Sequence, residues 1–315
     1  MNKIKETALN LSPFNNRTEM PKLLYIIKVV LIFYLFKFGG EVVCEGLALG
    51  IHFACGLNPL QGEMFDMETI TMITYVGYSV MISLILLFWR LFQKKTPVEM
   101  GFTGKVGHYL AALPAGALLI VACIVPVLLT GTLQYNGIFT NIDTKMVLLM
   151  IPCYIFQGAV EEVLCRGVVQ QLLIKKVSVP AAFAGSAAMF IIPHIDNMSG
   201  AAPEIYVIAV INLILISLLF SLVTYRSGSI WAACALHSVW NYILNIIFGL
   251  NVSGNEESVA AVFNVSSVGN NILNGAEYGI EAGILTTLVL GAVVGVLVAA
   301  SLKKTKNESR ALPVV

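Results

Sequence analysis

Charge is scarce in this chain. Only 12% of its 315 residues are Asp, Glu, Lys or Arg, about half the share of an ordinary soluble domain. With 57% apolar residues and a mean hydropathy of +0.84, too little polar surface remains to hydrate a compact soluble body. The composition describes a polytopic membrane protein. An excess of either sign is missing as well: 19 Lys and Arg stand against 18 Asp and Glu, which leaves no basic face for a nucleic acid. The six cysteines (Cys44, Cys55, Cys123, Cys153, Cys165, Cys234) form no CxxC pair. They read as reduced core residues rather than a disulfide framework or a thiolate metal site. Residues 1–21 are polar, and no short apolar run with a small-residue cleavage site follows them, so no cleaved signal peptide is expected.

A span needs about 20 mostly apolar residues to cross a hydrocarbon core of about 30 Å. Eight stretches qualify: 23–55, 69–92, 108–131, 146–174, 179–196, 204–225, 229–249 and 279–302. The fold class expected is therefore an all-α polytopic bundle of about eight transmembrane helices. Residues 1–22 form a cytoplasmic N-terminal segment, 23–302 the membrane-embedded domain, and 303–315 a basic cytoplasmic tail. Cytoplasmic loops carry excess Lys and Arg, and the charges fit this count. Fifteen of the 19 fall at the N-terminus, in the loops after the second, fourth and sixth spans, and in the tail. The opposite loops carry only Lys145, while Lys28, Lys37 and Arg166 lie inside spans. The longest opposite loop, 250–278, carries Glu256, Glu257 and Glu277 and no Lys or Arg; it reads as a hydrated connection.

An ionisable residue in mid-membrane costs at least about 2.5–3.5 kcal/mol on insertion scales, so each needs a reason. The fourth span reads Gln157-Gly158-Ala159-Val160-Glu161-Glu162-Val163-Leu164-Cys165-Arg166. Glu162 and Arg166 are four apart and share a helix face, where they can pair. Glu161 points elsewhere and has no such partner. The fifth span ends Phe190-Ile191-Ile192-Pro193-His194. Pro193 lacks a backbone donor and disturbs the helix there, which can aim the His194 ring into the bundle. The seventh holds His237-Ser238-Val239-Trp240-Asn241, with His237 and Asn241 on one face, one turn apart. Taken singly, each motif is also satisfied by interhelical hydrogen bonding.

Depth lets the three meet. Along a helix, Glu161 lies about 21 Å from Lys175 and His194 about 21 Å from Pro180. His237 and Asn241 lie about 12 and 18 Å from Ser229. A common layer near the bilayer middle is within reach of all four. A carboxylate, two imidazoles and an amide are the parts of a hydrolytic site. A buried carboxylate can serve as general base for water, and side-chain donors can stabilise an oxyanion. Two His and one Glu are also an open zinc set; if a metal is present, Glu161, His194 and His237 are its candidate ligands.

Other intramembrane hydrolase patterns are missing. With histidine only at His52, His108, His194 and His237, no HExxH helix exists, and there is no GxSxG elbow. Asp66, Asp143 and Asp196 fall in loops or at span ends, which does not suit an aspartyl pair. A serine site at Ser186 with His237 as base leaves Glu161 and Asn241 unexplained. In the first span, Lys37, Glu41 and Glu45 are spaced four apart and read as a structural ladder.

Glu161-Glu162-x-x-x-Arg166, Phe190-x-x-x-His194 and His237-x-x-x-Asn241, in that order on separate spans, resemble the CPBP family, the CAAX prenyl endopeptidase and bacteriocin-processing membrane proteases also called Abi proteins. The resemblance covers residues 146–249. It implies an intramembrane protease in which Glu161 activates water, His194 helps hold it, His237 and Asn241 line the oxyanion site, and Glu162 and Arg166 support the first motif. The family is commonly labelled metalloprotease, and a metal-free, glutamate-activated mechanism is also proposed for it. The amide in the set and the absence of dedicated zinc spacing favour no cofactor over a divalent metal such as zinc. The expected partners are a membrane-associated protein or peptide substrate and the lipid bilayer, with no nucleic acid. The expected location is a bacterial cell membrane, with both termini cytoplasmic. Two other classes use the same polar cluster: a non-catalytic membrane scaffold or bacteriocin self-immunity protein of the same family, and a proton-coupled carrier. Only one span is clearly interrupted, against the paired broken helices frequent in carriers.

Overall fold

A computed structural model describes residues 3–254 and 261–311; Glu256 and Glu257 lie outside the described residues. A short helix, α1 (Lys3–Leu11), precedes the long α2 (Lys22–Ala54). Then come α3 (Met67–Leu91) and α4 (Gly107–Leu129), followed by the strand β1 (Leu133–Ile138). The next helix is α5 (Thr144–Glu162), which passes without a break into a π-helical stretch, Val163–Gln170, and then α6 (Gln171–Lys176). After α7 (Val179–Ile191), α8 (Pro203–Ser227) and α9 (Trp231–Tyr242), a second π-helical stretch covers Ile243–Ile247. Strand β2 (Phe263–Ser267) and α10 (Ile284–Ala311) complete the described order. Residues 303–311, read from sequence as tail, continue the last helix.

Among the described residues, six helices are long and apolar enough to cross a bilayer: Lys22–Ala54, Met67–Leu91, Gly107–Leu129, Thr144–Lys176, Pro203–Ser227 and Ile284–Lys303. Each matches one of the eight predicted spans. The other two predictions, 179–196 and 229–249, form shorter helices. Val179–His194 is one short apolar helix, and Trp231–Tyr242 reaches Ile247 only through its π extension. The reason is local: Pro193 sits in a tight 3₁₀ turn, Ile192–His194, that ends the first, and Ser229 and Gly249 bracket the second. The chain is an all-α, multi-pass membrane protein.

Side chains set the helix starts. Asp66 accepts from the Thr69 amide at 2.8 Å and Asp143 from the Met146 amide at 2.9 Å, so two of the three aspartates outside the spans are helix caps. The strands were not expected. β1 and β2 pair antiparallel, Leu133 opposite Ser267 and Tyr135 opposite Val265. This puts the chain segments at 133–138 and 263–267 at the same end of the bundle.

The centre of the bundle is α9, which packs on both α4 and α5. Small residues allow the close approach, as is usual between membrane helices. A Cβ added to Gly158 on α5 would sit 2.7 Å from the backbone nitrogen of Ser238, and one on Gly116 of α4 would sit 3.1 Å from Val239. Gly158 is three residues before Glu161 and Ser238 one after His237, so this contact brings the first and third polar motifs together.

Candidate active site

Glu161, His194, His237 and Asn241 all line one cavity of about 440 Å³. They reach it from three elements: the end of α5, the 3₁₀ turn after α7, and α9. The proline-disturbed end of α7 brings His194 to the cavity wall. Its Nδ1 lies 2.7 Å from the Phe190 carbonyl oxygen. A carbonyl only accepts, so Nδ1 carries the proton and Nε2 is left for a ligand.

The Glu161 carboxylate accepts from the Gln157 amide Nε2 at 3.0 Å, and Asn241 Nδ2 donates to Oε1 of the same Gln157 at 2.8 Å. Gln157 thus links the carboxylate of one motif to the amide of another. It stands one turn before Glu161 on the same face, and only that spacing could have marked it in the sequence.

Glu162 turns away from this wall. It pairs with Arg166 at 2.9 Å, and both side chains are fully buried. Arg166 also donates to the Ser217 hydroxyl at 2.7 Å and the Ser217 carbonyl at 3.1 Å on α8. Its guanidinium lies over the rings of Phe190 and Phe220, 4.8 and 5.3 Å from their centroids. The same Glu162 oxygen stands 2.9 Å from His237 Nδ1, and the His237 ring stacks on Phe220 at 5.2 Å. A carboxylate on one ring nitrogen and an aromatic face beneath fix the ring's orientation and leave Nε2 as its free nitrogen. The pair predicted to support the first motif therefore also holds the imidazole of the third.

The same cavity is lined by Lys37, the only Lys or Arg on its wall among the described residues, and by Glu281. Lys37 pairs with Glu41 one turn along α2, as the ladder predicts. Glu281 was missed: it lies in the turn before α10, 40 residues after Asn241, and no local spacing connects it to the motifs. Ser186 is fully buried and donates to the Cys165 carbonyl at 3.0 Å, away from the cavity wall, so the serine alternative built on Ser186 does not reach the site. Among the described residues, no three His, Cys, Asp or Glu side chains are grouped closely enough to hold a metal ion. Glu161, His194 and His237 share a wall without converging on one point, so as they stand they do not fit a three-ligand zinc set.

A membrane bundle that encloses a carboxylate, two oriented imidazoles and an amide has the equipment of an intramembrane hydrolase. Residues 143–243 match the family model of the Rce1-like type II CAAX prenyl endopeptidases, in keeping with a CPBP intramembrane protease. The matched stretch is about a third of the chain and contains all seven named residues of the three motifs. It supports a protease of the CAAX type. No curated protein and no solved structure gives a significant match.

Proposed function

We propose that this protein is an intramembrane endopeptidase that hydrolyses a peptide bond of a membrane-associated protein or peptide. The observation that carries this reading is the gathering of Glu161, His194, His237 and Asn241 on one cavity wall. Glu161 takes a proton from a water molecule that His194 Nε2 helps to hold, and the oxygen attacks the scissile carbonyl carbon. With one N–H on Glu162, the His237 imidazolium donates its Nε2–H, beside the second N–H of Asn241, to the developing oxyanion. Collapse of the tetrahedral intermediate breaks the C–N bond, and the proton taken up by Glu161 passes to the departing amine. Glu162 and Arg166 hold the His237 ring in position, and Gln157 aligns Glu161 with Asn241. Every role falls to a side chain of this chain. The charge distribution supports both termini on the cytoplasmic side of the membrane, which this reading takes to be a bacterial cell membrane.

The test compares peptide N-termini in membranes of cells expressing the wild type or Glu161→Ala at equal abundance. N-termini that require Glu161 establish proteolysis and supply substrate sequences. Identical sets, with both proteins folded, overturn the proposal. With a mapped substrate, cleavage that persists in a strong chelator fits the side-chain reaction, and cleavage abolished by the chelator and restored by zinc refutes it.

A further inference from the structure

Glu281 is a second carboxylate on the cavity wall, and the reaction proposed above does not use it. It sits in a one-turn 3₁₀ element, Ile280–Ala282, before α10, and its backbone is held from the side. Asn212 of α8 donates to the Glu281 carbonyl at 2.8 Å and the Gly283 carbonyl at 3.0 Å. From this fixed base the side chain reaches two partners that also line the cavity. Oε1 accepts from the Trp240 indole Nε1 at 2.7 Å, and Oε2 accepts from the Ser253 backbone amide at 2.5 Å. Hydrogen bonds to a carboxylate are roughly twice as strong as neutral ones, and both of its oxygens are engaged.

The two partners belong to different parts of the site. Trp240 is on α9, three residues after His237 and one before Asn241. Ser253 belongs to a turn in which Ser253 and Gly254 both have positive φ, +52° and +80°, a conformation that a non-glycine residue adopts only when its surroundings hold it there. That turn also reaches the α7 side. The Ser253 carbonyl accepts from Asn197 at 2.8 Å, three residues after His194. Gly254 is wedged so closely that a Cβ would meet the Asn197 carbonyl oxygen at 2.8 Å and the Tyr278 ring at 2.9 Å.

We infer that Glu281 is a positioning residue of the site. By gripping Trp240 and the 252–254 turn together, it fixes α9 and the His194 segment to a common frame. The inference rests on the protease reading. With both oxygens held by donors on separate elements, this carboxylate sets the distance between them. An error of about 1 Å in such an arrangement can lower turnover by about 100-fold.

The test uses the full chain in detergent micelles, with Glu281→Gln, Trp240→Phe and Glu161→Gln beside the wild type. Glutamine keeps one acceptor and places an amide N–H₂ where Ser253 needs an acceptor. Hydrogen exchange of the peptide spanning Ser253 is expected to quicken about tenfold in Glu281→Gln and to stay unchanged in Glu161→Gln. On a synthetic peptide copied from the first Glu161-dependent cleavage site, Glu281→Gln is expected to lower kcat by about 10- to 100-fold with KM within about threefold. Melting close to that of the wild type excludes loss of folded enzyme as the cause. Trp240→Phe releases the other half of the grip and is expected to lower kcat in the same sense, and the double variant to lose less than the two losses combined. Unchanged exchange overturns the grip. Quickened exchange with full kcat overturns the positioning role. If Glu161→Gln still cleaves, the assignment of Glu161 as the base has failed instead, and the exchange result decides the grip on its own.

Discussion

Glu161 and Glu162 are neighbours in the chain and occupy opposite kinds of surroundings. Glu161 faces a cavity and receives one amide N–H from Gln157. Glu162 is sealed between α8 and α9, bound to Arg166 and to the His237 ring. Burial of charge alone therefore does not mark a reactive group. What separates the two is whether a compensating cation already occupies the carboxylate. Glu162 has its guanidinium at contact distance and acts on the site through His237. Glu161 has a neutral amide, and so keeps its capacity to take a proton.

The largest expected effect breaks the open side of that comparison. Glu161→Gln keeps the shape and is expected to lower cleavage on the order of 10²- to 10⁴-fold, the usual worth of a general base, with melting little changed. Full cleavage by this variant would place the chemistry elsewhere. Next comes the sealed side. Arg166→Met removes the hydrogen bonds to Glu162 and Ser217 and leaves a buried carboxylate without its cation, at an expected cost of about 3–5 kcal/mol. Thermal melting in detergent reads it, and Glu162→Gln in the same chain is expected to recover part of the loss. Equal melting of Arg166→Met and wild type would show that the pair does not hold the fold.

A smaller effect tests the contact that brings the two motifs together. Gly158→Ala places a methyl group against the Ser238 backbone, so α5 and α9 must separate. A loss of about 1–3 kcal/mol is expected, with a lower cleavage rate per folded molecule. The smallest concerns an ion pair outside the bilayer. Glu99 accepts from Lys175 at 2.9 Å, and this bond, aided by the Thr96 amide, holds its carboxyl at about 2, below the ordinary value of about 4.3. Its contribution is present above pH 4.3 and is lost as the pH falls towards 2. A third of the side chain is exposed, so Glu99→Gln is expected to cost less than about 1 kcal/mol and to flatten the acid limb of the melting curve over that window.

The three motifs were legible in the sequence because each obeys a helical spacing of four and each breaks an apolar run. Glu162 and Arg166 were legible as a pair for the same reason. That Glu162 also grips His237 was not, since the two are 75 residues apart and nothing local couples them. Glu281 and Ser253 were hidden by position: one sits at the edge of a span, where a glutamate reads as a boundary, and the other in a polar loop. Six span lengths followed from hydropathy alone. The two short helices did not, because their flanking stretches are apolar enough to read as helix although Pro193 and Gly249 end it. The strand pair was invisible for the opposite reason, being too polar and too short to stand out.

A π-turn closes i to i+5 where an α-turn closes i to i+4, and so seats one more residue. Two of the three elements that carry the cluster, α5 and α9, run into such a stretch, Val163–Gln170 two residues after Glu161 and Ile243–Ile247 two residues after Asn241. Chain length is thereby part of what specifies the site. Removing one residue from either stretch is expected to let that turn close i to i+4 and to lose the widened turn beside the cluster.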